Sequence, residues 1–422
     1  MKKYEWAVIG SGIAGICTAE ILAREGHSVI LVEKNSKLAS ETTRDFHEWL
    51  HTGSLYTLLP DRLKTLRYIL GAIDDLIEFY SCYEQMNIAP SDKGLNILEN
   101  SSQQWFNKSF INFKFRVKGR KLTFPWLIGS ARSIDLIQKI DSHDWLRRRA
   151  GELEPFKKKQ LSNTLKITRD LIKLNQDFLT IKTPDCTINS RVLLDDLLKA
   201  AIKNGLEISL EHKINGIDKS HDFKILKSNK NPIKVEKIAI CSGAGIKNFT
   251  NVNLKTSYAP IAVVDGVKPN DESFVELDYF PANCINLLTK ENGMGLAGGI
   301  SFRDKSKTDS YLDKVIEKHK RINPDIKEIH RYTGIKTEIS FKNQPRGYLY
   351  NIAKIEENIW ALVPGKFTLA FSMAPEFYRR IYRKNPKKHF NSTSNPRNRL
   401  DCISNTVWND QYKKLRKKNG IN

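Results

Sequence analysis

The chain has 422 residues, 40% of them apolar and 9% aromatic, which suits one large or two ordinary cored domains and excludes a disordered protein. Lys and Arg number 69 against 47 Asp and Glu, a net charge of +22 that bears on solubility and anionic partners and not on fold. The six cysteines stand singly, so neither a zinc motif nor a dithiol motif is present in the sequence, and buried thiols in a reducing compartment are expected.

Tyr4–Ile9 reads as a buried strand, apolar but for Glu5. The turn Gly10-Ser11-Gly12-Ile13-Ala14-Gly15 follows, then a helix over Ile13–Glu25 closed by Gly26, then a second apolar strand, Ser28–Glu33. Strand, glycine turn, helix and strand in this order make a βαβ unit that opens a parallel sheet. Lys2-Lys3 and the apolar stretch to Ala19 imitate a secretion signal, but Glu5, three glycines and Glu20 break the pattern. No other stretch approaches the ~18 apolar residues of a membrane span, and a cytoplasmic protein is expected.

From Asp61 to about Tyr83 apolar residues recur at helical spacing. Gln85–Lys182 interleaves basic and aromatic residues and reads as an inserted substrate-side domain. Asn189 or Ser190 caps a helix that runs to Asn204, with Gly205 beyond it. Val235–Ile240 is a strand ending in Ser242-Gly243-Ala244-Gly245, and Cys284–Leu288 and Met294–Gly298 flank a hairpin turn at Glu291-Asn292-Gly293. Asn358–Val363 is a last strand, leading through Pro364-Gly365-Lys366 into a helix to about Tyr382, where Pro375 marks either the helix start or a kink. The basic, Asn-rich tail after Arg383 reads as mobile.

The chemistry starts at the first turn. Gly10 permits the tight exit from the strand, Gly12 lets backbone approach a pyrophosphate, and Gly15 lets the helix pack close to the strand. The run Gly10 to Gly15, with Ser11, Ile13 and Ala14 between the glycines, is the candidate cradle, and the helix N-terminus behind it favours phosphate. Glu33 ends the second strand, where a carboxylate accepts ribose hydroxyls and disfavours the 2′-phosphate of NADP. This turn does not by itself choose between FAD and NAD.

Several later segments resemble one family. Ala39-Ser40 after Glu33, the His51-x-Gly53-x-x-Tyr56 stretch, the helix start at Thr187–Leu198, the strand end Ile238–Gly245, and Gly365-Lys366-Phe367-Thr368 with Met373–Glu376 are similar to the D-amino-acid-oxidase-like flavoenzymes. That group includes amine and amino-acid oxidases, glycerol-3-phosphate dehydrogenases and 2-hydroxyglutarate oxidases. The resemblance implies an α/β fold, with a Rossmann-like FAD-binding domain and a second α+β substrate domain over the flavin. It divides the chain into an FAD-binding domain from 1–84, 183–255 and 335–384, a substrate domain from 85–182 and 256–334, and a basic tail, 385–422. It also implies FAD contacts at Lys34, Ser40, Arg44, Gly243, Gly365, Lys366, Phe367 and Thr368, with a helix N-terminus and Lys366 near the ring. The chain departs from the family at His47-Glu48, where a small Ser-Gly pair is usual, and at Pro364-Gly365-Lys366, which has one glycine where several are usual.

His51 has three open roles: a covalent bond to the flavin, noncovalent orientation of substrate or ring, or a structural histidine. His47 reads as a supporting or surface residue. The reaction implied is loss of hydride from a CH–NH or CH–OH group of a small anionic substrate, such as an amino or hydroxy acid, with His51 as the candidate proton acceptor. Arg346, beside Tyr348, is the candidate carboxylate clamp, with Tyr332 as another polar neighbour. Oxygen, a quinone or a protein carrier remains open as electron acceptor, and no metal or nucleic-acid partner is expected. The competing functions are an NAD-dependent dehydrogenase, and a basic dinucleotide-binding protein attached to nucleic acid or an anionic membrane.

Overall fold

The computed structural model describes residues 2–51, 64–80, 83, 105–116, 172–174, 178–219, 223–268, 271–277, 284–339, 347, 349–388, 400–418 and 420. Among these, eight strands form a first sheet. From one edge its order is β16 (Asn351–Glu356), β17 (Ile359–Val363), β10 (Ile233–Ile240), β1 (Lys3–Ile9), β2 (Val29–Val32) and β7 (Glu207–Ser209). β9 (Lys224–Ser228) joins β10, and β8 (Ile214–Asp218) joins β9. β1 is central because it is apolar along both faces: Trp6, Ala7 and Val8 are fully buried, and it pairs in parallel with β10 and β2.

Helix α1 (Ile13–Arg24) is buried along all twelve residues, as an apolar helix enclosed on every side must be. Its two charges neutralise each other, Arg24 gripping Glu20 through two hydrogen bonds of 2.8 Å. After the single turn α2 (Thr42–Asp45) comes α3 (Lys64–Tyr80), and α4 (Ser190–Lys203) packs on α1. The helices expected from the sequence are present to within a few residues. Gly26 and Gly205 take left-handed φ of +87° and +89° at the ends of α1 and α4, and the Asn189 side chain caps the start of α4.

Nine described strands make a second, mixed sheet in the order β15 (Lys327–Ile339), β11 (Leu254–Asp265), β14 (Gly295–Gly299), β13 (Ile285–Thr289), β12 (Phe274–Leu277), β4 (Phe106–Arg116), β6 (Phe178–Ile188) and β3 (Trp49–Leu50). β5 (Ile172–Leu174) adds to β6, and α5 (Thr308–Ile322) covers β11 and β14. The predicted hairpin is β13–β14, turning through Asn292 at φ +59° and Gly293 at φ +75°.

Two readings of the C-terminal region change. Helix α6 (Ala370–Tyr382) begins ahead of Pro375, which sits in its second turn. The tail is packed where it is described: α7 (Val407–Lys418) lays Val407 and Trp408 against Ile261, Val263, Met294 and Leu296. Charge and Asn content suggested mobility, but apolar residues at helical spacing in α7 give it a face to bury. No helix among the described residues is long and apolar enough to cross a membrane.

Candidate active site

A cleft of about 310 Å³ opens where the C-terminal ends of β1, β2, β10 and β17 meet the second sheet. Ligands of open α/β sheets bind at this end, because parallel strands present their connecting loops and helix N-termini there. Gly10, Ser11, Gly12, Ile13 and Ala14 line it. Gly15 does not: it is the packing glycine, since a Cβ there would stand 1.8 Å from the Gly10 carbonyl oxygen. Gly10 has φ +97°, and a Cβ would meet the Ser242 backbone at 2.7 Å. Side chains are thus excluded where the turn passes β10, and the wall stays bare backbone.

Three amides of this turn are engaged by the protein itself, the first being Gly10, which donates to the Val32 carbonyl at 2.8 Å. Ser11 donates its N–H at 3.1 Å and its hydroxyl at 2.5 Å to Glu33, which also accepts the Asn35 N–H at 2.9 Å. The N-cap of α1, Gly12, has no side chain to offer, so Thr43 reaches across and its Oγ1 accepts the Ile13 N–H at 2.9 Å. Sequence reasoning missed Thr43. It lines the cleft from α2, while its neighbour Arg44 is directed elsewhere, to the Asn405 carbonyl at 3.1 Å and Asp410 at 3.0 Å. Arg44 is not in the cleft lining, because those two bonds hold its guanidinium against the C-terminal region, so placing it near the phosphates is corrected. Lys34 and Ser40 line the cleft, Lys34 paired with Glu41 at 2.5 Å.

Gly243, Gly365, Lys366 and Phe367 also line the cleft. Gly365 has φ +68°, and a Cβ would press on the Leu349 carbonyl at 2.7 Å. Thr368 is fully buried outside the lining, where its Oγ1 accepts the His51 N–H at 2.9 Å. It positions the histidine and does not face the cleft.

His51 lines the cleft and stacks on Trp49, ring centroids 4.2 Å apart. Asp185, fully buried on β6, accepts the Trp49 indole N–H at 2.9 Å and brings Oδ2 within 3.7 Å of His51 Nδ1. Burial, opposed by Asp185 and reinforced by the Lys366 and Lys336 ammonium groups, holds the imidazole at about 4. It is therefore neutral at neutral pH. Lys336, in the cleft lining and 3.0 Å from Glu338, was not singled out in the sequence, where it is one of 69 cations.

His47 is corrected from a supporting position to the cleft lining. A Cβ on Gly298 of β14 would come within 2.7 Å of its Nε2, so that glycine makes the room for the ring. Burial, then Lys290, then His51, lowers the His47 imidazole to about 3. Glu48 has φ +58°, which accounts for the glycine usual there and costs a side-chain-bearing residue roughly 1–2 kcal/mol. Its buried carboxylate gains four donors in return: Ser190 N–H at 3.0 Å, Ser190 O–H at 2.5 Å, Lys290 Nζ at 2.6 Å and Trp408 N–H at 2.9 Å. Tyr332 packs beside Trp408. Arg346, Tyr348, Gly53 and Tyr56 lie outside the described residues.

Residues 5–345 match the family FAD dependent oxidoreductase (DAO). The chain belongs to this family of FAD-dependent oxidoreductases. Its fold is shared with an FAD-bound, dithionite-reduced L-alpha-glycerophosphate oxidase from Mycoplasma pneumoniae (16% identity, TM-score 0.64, covering 93% of this chain and 99% of that one). It is also shared with glycine oxidase from Geobacillus kaustophilus (14%, 0.61, 96% and 100%) and L-amino acid deaminase from Proteus vulgaris (15%, 0.61, 91% and 91%). No curated protein matches the sequence significantly. The cofactor of this oxidoreductase is FAD. The cleft fits it on the chain's own atoms, with a wall free of side chains at Gly10 and Gly12 and a carboxylate, Glu33, at the end of β2.

Proposed function

We propose that this oxidoreductase oxidises a CH–OH group of a small anionic substrate, such as a hydroxy acid, and that His51 accepts the hydroxyl proton. FAD supplies the two-electron acceptor for the hydride. The first sheet with its helices serves as the FAD-binding unit, and the second sheet closes the substrate side. The observation that carries the reading is His51 itself: a neutral imidazole in the cleft, stacked on Trp49, with Asp185 behind it and two lysines in its field.

An alcohol has a high pKa, so its oxidation needs a proton acceptor, and a neutral imidazole serves. Lys336 and Lys366 at present oppose protonation of His51. An anionic substrate among these three groups offsets the lysines' charge and makes the imidazole more basic when substrate is bound. Asp185 then stabilises the imidazolium. An amino acid would instead bring an ammonium group beside Lys366, which disfavours it, while Glu338 offsets much of the Lys336 charge. Glycine oxidase and the deaminase, as named, act on amino compounds, and the glycerophosphate oxidase on a hydroxyl compound. The lysine field favours a substrate of the latter kind. The Gly10–Ala14 turn, Glu33, Ser40, Gly243 and Phe367 are proposed to hold FAD, and Lys366 to serve both cofactor and substrate.

Anaerobic mixing of the FAD-loaded protein with hydroxy acids, glycerol phosphates and amino acids tests this. Bleaching of the flavin by an anionic hydroxy compound is expected. Bleaching by amino acids alone would refute the reading.

A further inference from the structure

Residues 38–51 carry a large share of the cleft lining, including Thr43, His47, Trp49 and His51. Only two of these residues, in β3, join a sheet. The segment is instead gripped at three points by the chain's C-terminal region. Leu38 pairs with Ile403 as in a parallel strand: its N–H donates to the Cys402 carbonyl at 2.8 Å, and its carbonyl accepts the Ser404 N–H at 3.0 Å. Arg44 donates to the Asn405 carbonyl at 3.1 Å and to Asp410 at 3.0 Å. Glu48 accepts the Trp408 indole N–H at 2.9 Å.

The gripping segment is itself anchored on both halves of the molecule. The Leu400 N–H donates to Asp195 of α4 at 2.7 Å, and Val407 and Trp408 are buried on β11 and β14. Glu48 is the junction. It joins the first turn of α4 through Ser190, the β13–β14 hairpin through Lys290, and α7 through Trp408. A left-handed, buried glutamate persists only where its surroundings over-determine it.

We propose that residues 400–412 form a positioning strap, with Trp408 acting through Glu48, that holds residues 38–51 in the conformation that receives FAD. Trp408 and Glu48 are positioning residues, not ligands of the cofactor. The strap explains why Arg44 turns away from the cleft: its guanidinium is one of the three fastenings.

Trp408→Phe keeps the ring and removes only the N–H that Glu48 accepts. In FAD-free protein it is expected to speed amide hydrogen exchange across residues 38–51, while β1 and α4 exchange as in the wild type. The FAD dissociation constant is expected to rise about tenfold, the effect of one hydrogen bond to a carboxylate. Leu312→Ala is the control. It opens a cavity under α5, on the face of β11 that carries Ala262 and Val264, away from Val407 and Trp408, so it lowers the unfolding midpoint and leaves the exchange of residues 38–51 and the FAD affinity unchanged. If Trp408→Phe does not yield folded protein, Asp410→Asn, which loosens the Arg44 fastening, carries the same test with a smaller shift in the same direction. Wild-type exchange and affinity in the strap variants overturns the proposal. So does a shift in Leu312→Ala as large as theirs.

Discussion

His51 and Asp185 stand 3.7 Å apart, Nδ1 to Oδ2, although 134 positions separate them in a chain of 422 residues (185 − 51). The distance is longer than a hydrogen bond, and Oδ2 already accepts the Trp49 indole N–H. One carboxylate thus fixes the indole on which His51 stacks and faces the imidazole that stacks there. If His51 is the proton acceptor, His51→Gln lowers the rate of flavin reduction by about 10²–10⁴-fold while FAD stays bound. Asp185→Asn gives a smaller loss and moves the acidic limb of the pH profile. Rapid-mixing reduction kinetics check both, and an unchanged rate in His51→Gln removes the residue from the mechanism.

How FAD is held is tested separately, since an imidazole bonded to flavin through one nitrogen keeps a basic second nitrogen. With His51 noncovalent, the cofactor is expected to leave with the supernatant on acid precipitation. Colour retained in the pellet, and lost in His51→Ala, would assign the histidine to covalent attachment instead.

Acid should destabilise the fold through its buried histidines. Burial lowers His51 and His319 to about 4 and His47 to about 3. In the unfolded chain they titrate near ~6.5. Unfolding therefore takes up protons below that pH. The stability they contribute is complete above about pH 6.5 and is lost as pH falls toward their folded values. Each contributes a slope of up to ~1.4 kcal/mol per pH unit in that window. Denaturant midpoints of FAD-free protein between pH 7 and 5 measure it, and His51→Gln is expected to flatten the curve by one proton's share.

Gly15 admits no side chain. With a Cβ 1.8 Å from the Gly10 carbonyl oxygen, Gly15→Ala must push α1 away from β1. A loss of about 1–3 kcal/mol in stability and of most FAD binding is expected. Thermal unfolding and flavin content of the purified variant report the two effects separately.

The buried Lys290–Glu48 pair gives a further prediction. Lys290→Met leaves a buried carboxylate without its cation and should cost about 3–5 kcal/mol. Glu48→Gln in the same chain restores part of that, because it removes the unpaired charge while its one oxygen still accepts from Ser190. A double-mutant cycle in denaturant measures the coupling. Additive losses would show that the pair is not coupled.

The opening βαβ unit was legible residue by residue. Its signals are short-range: an apolar run for a central strand, glycines where β1 passes β10, an acid at the end of β2. Each is written within about thirty positions of the chain, although the contact that Gly10 makes room for, at Ser242, is distant. The α4 cap and the β13–β14 turn were legible for the same reason. The departure at His47-Glu48 was visible in the sequence, but its meaning was not. The left-handed backbone of Glu48 holds through Ser190, Lys290 and Trp408, three contacts from three distant parts of the chain.

By itself the sequence determined that this protein binds a dinucleotide at the end of its first strand, and by resemblance that the dinucleotide is FAD. Only the tertiary structure decided which side chains share the cleft. It turned Thr43 inward and Arg44 outward, brought Lys336 and Asp185 to His51, and fastened the tail to residues 38–48. The reason is geometric. Local rules set the direction of the backbone and its turns, whereas the company a side chain keeps is fixed when two sheets pack, and packing joins residues that no window along the chain contains.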